Sequence, residues 1–214
     1  MVVDAERCYT IYQIGRYALT RTGEFAECGT FRGGTAHLIA AMIQRLATTR
    51  PRLHLFDTFA GMPATSLPHR DHHRPGDFSD TSLGQVQERL RDYDFVDFHP
   101  GLIPATFSEV SSAGPIAFVH VDVDIYPSVL ACCEWFWPRL AEGGVMVFDD
   151  YGFPVYRNAA RAAIDDYFGS RSIQPIVLST GQALVIRSHP DGGGARSNTA
   201  TDSVAVAGKP LRPT

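Results

Sequence analysis

The chain has no stretch of the roughly 18 consecutive apolar residues that a membrane-spanning helix needs, so no such helix is expected. Its first residues, "MVVDAERCYTIYQIGRYALTRTGE", lack a basic start followed by an apolar core, so no secretory signal is expected either. Cysteine is scarce: Cys8, Cys28, Cys132 and Cys133, with no C-x-x-C and no disulfide-type spacing. A reduced, cytoplasmic protein is the corresponding expectation. Charge of one sign is also lacking. A formal net charge of -4 gives no footprint for a polyanion, which argues against nucleic acid as the main ligand. There is no internal repeat, no His/Cys pairing with zinc spacing and no G-x-G-x-x-G.

What is there is ordinary globular material, 44% hydrophobic and 20% charged, in a length that suits one domain. Residues 5–20 carry Tyr9, Ile11, Tyr12, Ile14 and Leu19 at helical spacing. "EFAEC" (24–28) reads as a strand, the glycine turn "GTFRGG" follows, and "TAHLIAAMIQRLATT" reads as a helix. "RLHLFD" (52–57) is a second strand, and Thr58 to about Asp80 is a polar loop. Helix 81–92, strand "DFVDFHPG", a short helical patch near 104–110 and strand "IAFVHVD" come next. A helix opened by Pro127 runs to about Leu140. Strand "VMVFD", helix "YRNAARAAIDDYFG" and the strands "IQPIVLS" and "QALVIRS" around Thr180-Gly181 complete the order. Strands alternating with helices predict an α/β fold, a doubly wound and mostly parallel sheet closed by an antiparallel hairpin. Residues 1–188 form the expected single domain. Residues 189–214, rich in Gly, Ser and Pro without apolar period, are expected to be disordered.

In open α/β sheets, ligands bind beyond the carboxyl ends of the strands. "ECGTFRGG" falls at such an end, where glycines 29, 33 and 34 either admit a ligand to the backbone or only make a tight turn. Asp57 ends the second strand and either accepts ribose hydroxyls or caps its own turn. Arg32 is either a partner for a cofactor carboxylate or a solvated arginine. With no pyrophosphate signature, Glu27, Gly29, Gly33 and Asp57 together favour S-adenosylmethionine over a dinucleotide.

Two strands end in paired acids, Asp122 and Asp124 in "FVHVDVDIYPS" and Asp149 and Asp150 in "GGVMVFDDYG". Asp122 and Asp124, two apart on a chain taken as extended, share a side. Four converging carboxylates repel unless a cation lies among them, and hard oxygen donors of this kind suit Mg²⁺. His69, His72 and His73 read as solvated loop residues. Tyr126 and Tyr151, each after an acidic pair, are candidates for the acceptor pocket. Cys132, Cys133, Trp135, Phe136 and Trp137 read as a buried helix face.

The motifs "FAECGTFRGGTA", "LFDTFAGMP", "VHVDVDIYPS" and "PRLAEGGVMVFDDYG" resemble those of the macrocin O-methyltransferase family over roughly residues 8–187. That family comprises metal-dependent enzymes that methylate sugar hydroxyls of antibiotics. The resemblance implies a class I methyltransferase sheet of seven strands with the seventh antiparallel, Mg²⁺ on Asp122, Asp149 and Asp150, and Asp124 as general base. It also implies S-adenosylmethionine contacts from Glu27, Gly29, Thr30, Arg32, Gly33, Asp57, Thr58, Ser82 and Asp122. Loop 58–80 is expected to act as a lid over a glycoside or sugar acceptor. A D-x-D glycosyltransferase, a catechol methyltransferase and a non-catalytic cofactor-binding module stay open beside this reading, as does pairing of two copies through the N-terminal helix.

Overall fold

In the computed structural model, which describes residues 3–110 and 114–188, the chain builds one seven-stranded sheet. Helix α1 (Ala5–Ala18) is capped by Asp4, whose carboxylate accepts the Arg7 amide at 2.9 Å. Strand β1 (Glu24–Cys28) leads through the glycine turn into α2 (Gly34–Leu46), and β2 (Leu53–Asp57) follows. Loop 58–82 precedes α3 (Leu83–Leu90), β3 (Val96–Pro100) and a 3₁₀ turn (Ala105–Val110). Then come β4 (Ile116–Val121), α4 (Tyr126–Phe136), β5 (Leu140–Phe148), α5 (Ala160–Gly169), β6 (Ile176–Val177) and β7 (Ala183–Ile186).

The strand order is β3-β2-β1-β4-β5-β7-β6, parallel except that β7 runs antiparallel to both β5 and β6. Order reverses between β1 and β4, so the cleft above their carboxyl ends is the place where such a sheet takes ligands. One core packs α1, α2 and α3 on one face and the other packs α4 and α5 on the opposite face. The expected buried helix face holds for Cys132, Cys133 and Phe136, fully buried, and for Trp137 just past α4, nearly so, whereas Trp135 is only partly buried. All four cysteines are buried thiols.

Several boundaries differ from expectation: β5 begins at Leu140 rather than Val145 and α5 at Ala160 rather than Tyr156. Helix α4 stops at Phe136, because Pro138 imposes a 3₁₀ turn and β5 has already begun at Leu140. Strand β6 is only two residues long, an exposed edge trimmed to Ile176–Val177. The chain is not extended at Asp124. β4 ends at Val121 and Asp124 has φ of +56°, in the left-handed region, so an alternation argument does not apply to it. The expected tail, 189–214, lies outside the described residues. No described helix is long and apolar enough to cross a membrane.

Candidate active site

The parallel register sets β1, β4 and β5 side by side, and their carboxyl ends converge. Gly29 N–H reaches the Phe56 carbonyl at 2.9 Å, Asp122 N–H the Cys28 carbonyl at 2.8 Å, and Asp149 N–H the Val121 carbonyl at 3.0 Å. A cavity of about 300 Å³ opens over these ends. Its wall includes Gly29, Thr30, Arg32, Asp57, Thr58, Asp122, Asp124, Asp149 and Asp150. Glu27, Gly33 and Ser82 are not on that wall. Glu27 is buried inside the sheet, Gly33 (φ +73°) lets the start of α2 approach Val86, and Ser82 caps α3 by accepting the Gln85 amide at 3.3 Å.

Asp57 is the organiser of the glycine turn. Its Oδ2 accepts the amides of Thr30 (2.6 Å) and Phe31 (2.8 Å), and its Oδ1 accepts the Phe59 amide (2.7 Å). Hydrogen bonds to a charged acceptor are the stronger kind, and these tie the β1 and β2 turns together. Gly29 (φ +88°) has a second constraint: a Cβ there would lie 1.7 Å from the Asp122 carbonyl oxygen. The Arg32 guanidinium pairs with the Asp80 carboxylate and donates Nε–H to the Asp80 carbonyl at 2.9 Å, so it holds the loop. Beside it, the Thr30 hydroxyl is buried on the cavity wall without a hydrogen-bond partner. Such an orphan suits a polar ligand.

Asp122, Asp149 and Asp150 each bring one carboxylate oxygen into a group spanning 4.8 Å. Burial, then the neighbouring Asp149 and Asp150, raise the Asp122 carboxyl well above the usual carboxylate range. Burial, Asp124 and Asp149 push Asp150 up to about 8. Asp149 goes the other way: burial opposes ionisation, but His120, Arg7 and Gln182 outweigh it. Gln182 Nε2 donates to its Oδ1 at 2.7 Å and Arg7 pairs with its Oδ2. A carboxylate has about four lone-pair sites, so Asp149 keeps capacity for a metal. An all-oxygen set in which Asp122 and Asp150 hold their protons against their neighbours' charge, while Asp149 stays ionised, fits a hard divalent cation.

Sequence reading missed the support behind these acids. His120 is fully buried between Glu27 (Nδ1 to Oε1, 3.1 Å) and Asp149 (Nε2 to Oδ1, 3.5 Å). Burial disfavours its charge, yet the two carboxylates prevail and lift it to about 10. The longer contact is an ion pair rather than a hydrogen bond, and His120 Nε2 and Glu27 Oε2 keep unused hydrogen-bonding capacity. Nor is His73 a solvated loop residue. It sits mostly buried, bonded to the Tyr156 hydroxyl at 2.9 Å and to Asp77 at 3.1 Å, and lies 3.5 Å from Asp124 Oδ1. Asp124 raises its pKa against the effect of burial, and Asp77 adds to the rise. Tyr156 lines the cavity, whereas Tyr126 and Tyr151 do not; their hydroxyls turn away to Asp166 (2.8 Å) and Asp165 (2.7 Å). Loop 58–82 contributes Gly61, Met62, Pro63, Phe78 and Thr81 to the wall, and its Asp71 accepts the Tyr126 amide at 2.7 Å, capping α4.

A seven-stranded sheet of this order, with the seventh strand reversed and a glycine turn after the first, is the architecture of class I methyltransferases. The structure of the O-methyltransferase NovP superposes with a TM-score of 0.75 at 21% identity, covering 88% of this chain and 82% of that one. An O-methyltransferase from Bacillus cereus in complex with S-adenosylhomocysteine gives 0.59 at 14% identity, covering 87% and 84%. The chain belongs to the macrocin-O-methyltransferase family, whose profile matches residues 17–183. Among curated relatives, an 8-demethyl-8-(2,3-dimethoxy-α-L-rhamnosyl)-tetracenomycin-C 4′-O-methyltransferase of Streptomyces olivaceus is 29% identical over 161 residues, 71% of this chain. A mycinamicin III 3″-O-methyltransferase of Micromonospora griseorubida is 26% identical over 158 residues, 68% of this chain. The chain spans about 60% of the length of each of these two relatives.

Proposed function

We propose that this protein transfers a methyl group from S-adenosylmethionine to a hydroxyl of a sugar attached to a natural product, with Mg²⁺ at the aspartates. The observation that carries the reading is one cavity in which a glycine turn, with an orphaned Thr30 hydroxyl, faces Asp122, Asp124, Asp149 and Asp150. The family match and the sugar-modifying relatives support the acceptor class.

S-adenosylmethionine supplies a methyl already activated on a cationic sulfur, so the protein's task is to align it and to ready the oxygen. Asp57 fixes the turn amides against which the adenosine half lies, and the turn keeps little freedom to lose on binding. Asp122, Asp149 and Asp150 would hold Mg²⁺, which lowers the pKa of a hydroxyl bound to it. Asp124, on the same wall, takes the hydroxyl proton. His73 and Tyr156 fix the loop over that carboxylate. Met62, Pro63 and Phe78 exclude water.

Calorimetric titration of S-adenosylhomocysteine, beside a UDP-sugar control, tests the cofactor. Binding of S-adenosylhomocysteine alone is expected, and binding of the UDP-sugar alone would overturn the reading in favour of a glycosyltransferase. Asp57→Ala releases three amides from a charged acceptor. Each such bond contributes about 1.5–3 kcal/mol, so affinity for S-adenosylhomocysteine should fall at least about tenfold. Removing divalent ions with EDTA should stop turnover of a glycoside acceptor, and added Mg²⁺ should restore it. Undiminished turnover after chelation would take the metal out of the mechanism.

A further inference from the structure

A second cluster of titratable side chains lies on the α4 face of the sheet, away from the aspartates. Register sets Glu24, His54 and Asp97 on three adjacent strands with their side chains on one face, and His99 follows Asp97 by two on β3. They border an open cleft together with Phe98 and Glu109. His54 and His99 are both buried, and His99 stacks on Phe56 at 4.6 Å between ring centroids.

The arrangement of the four ring nitrogens is specific. His54 Nε2 lies 2.8 Å from Glu24 Oε2, and His99 Nδ1 lies 2.8 Å from Glu109 Oε2. The remaining nitrogens, His54 Nδ1 and His99 Nε2, face each other at 3.1 Å. Three hydrogen bonds in line, from Glu24 through both rings to Glu109, need three N–H protons, and two neutral imidazoles bring only two. With both carboxylates ionised and accepting, neither facing nitrogen has a proton left to give, so the gap between them suits one added proton or a metal ion. Two nitrogens on one tetrahedral zinc, with bonds of about 2.0–2.1 Å, stand roughly 3.3 Å apart, close to what is seen. A carboxylate on the far nitrogen of each ring is the usual support for a metal-bound histidine, fixing tautomer and orientation. Asp97 Oδ2 lies 3.7 Å from His54 Nδ1 but is held by Arg52 at 2.7 Å, so it is no third ligand.

We infer that His54 and His99 form a binding site for a borderline transition-metal ion, Zn²⁺ in the first instance, with Glu24 and Glu109 behind the rings and water completing the shell. Nitrogen donors set this site apart from the aspartates, whose oxygen donors suit Mg²⁺. Only the aspartates gather three protein ligand atoms among the described residues, so this second site leaves positions open to water. The inference is independent of the methyltransferase reading, and its test uses neither cofactor nor acceptor.

The experiment is calorimetric titration of Zn²⁺ into the full, untagged chain in excess Mg²⁺. Wild type should take up one equivalent. Glu24→Gln and Glu109→Gln, which leave both ligands in place, should weaken binding by about 10- to 100-fold. His99→Gln should weaken it further, and Asp150→Asn should leave it unchanged. No uptake by wild type would overturn the inference and assign the facing nitrogens a shared proton. Uptake lost in Asp150→Asn but kept in His99→Gln would also overturn it, because the aspartates would then be the zinc site.

Discussion

Asp124→Asn is expected to lower methyl transfer by about 10²- to 10⁴-fold, the usual contribution of a positioned general base. Affinity for S-adenosylhomocysteine should not change. The amide keeps the volume of the carboxylate and can still meet His73, but it cannot take a proton from a hydroxyl. The position favours this change as a clean probe. Asp124 is held with φ of +56° by its surroundings, and asparagine is among the few residues that tolerate that conformation. Single-turnover rates with a glycoside acceptor, read beside S-adenosylhomocysteine calorimetry, separate chemistry from binding. Turnover within a few-fold of wild type would remove Asp124 from the role of base.

The second large effect concerns stability. His120→Leu removes the cation from between Glu27 and Asp149, both buried, and breaking a buried pair from one side costs about 3–5 kcal/mol. Urea denaturation of the metal-free protein should show a loss of that size. Its pH dependence has a definite sign. The folded protein lifts His120 from 6.5 to about 10, so its charge stabilises fully below pH 6.5 and progressively less as pH rises toward 10. The gap between wild type and variant should therefore narrow over that window. A loss under 1 kcal/mol at pH 6 would mean that Glu27 and Asp149 find other partners.

The strands that make the central sheet were legible because their apolar runs are bounded by glycine, proline and aspartate, and the paired acids mark the ends of β4 and β5. What escaped was long-range. Arg7 lies 142 residues from Asp149 in the chain and reaches it only because α1 packs beside the sheet, a fact no local pattern carries. His73 looked like loop polarity because its partners, Asp124 and Tyr156, come from two other segments. Tyr126 and Tyr151 had the right spacing from the acids, but one opens α4, the other sits in the turn after β5, and both send their hydroxyls to α5. Asp57 was recognised, and its bond to the Phe59 amide is the turn cap the sequence offered, but the Thr30 and Phe31 amides depend on how two turns meet. The polar residues of β2 and β3, His54, Asp97 and His99, offered no local hint of their shared face until register aligned the strands.

Gly29 has a consequence for how this fold can diversify. With no room for even one carbon between residue 29 and the Asp122 carbonyl, the floors that the proposed function gives to nucleoside and cation are a single pair of touching backbones. Neither can be moved alone. A substitution that shifts the glycine turn must shift the Asp122 backbone with it, so the two halves of the cleft would drift together rather than separately.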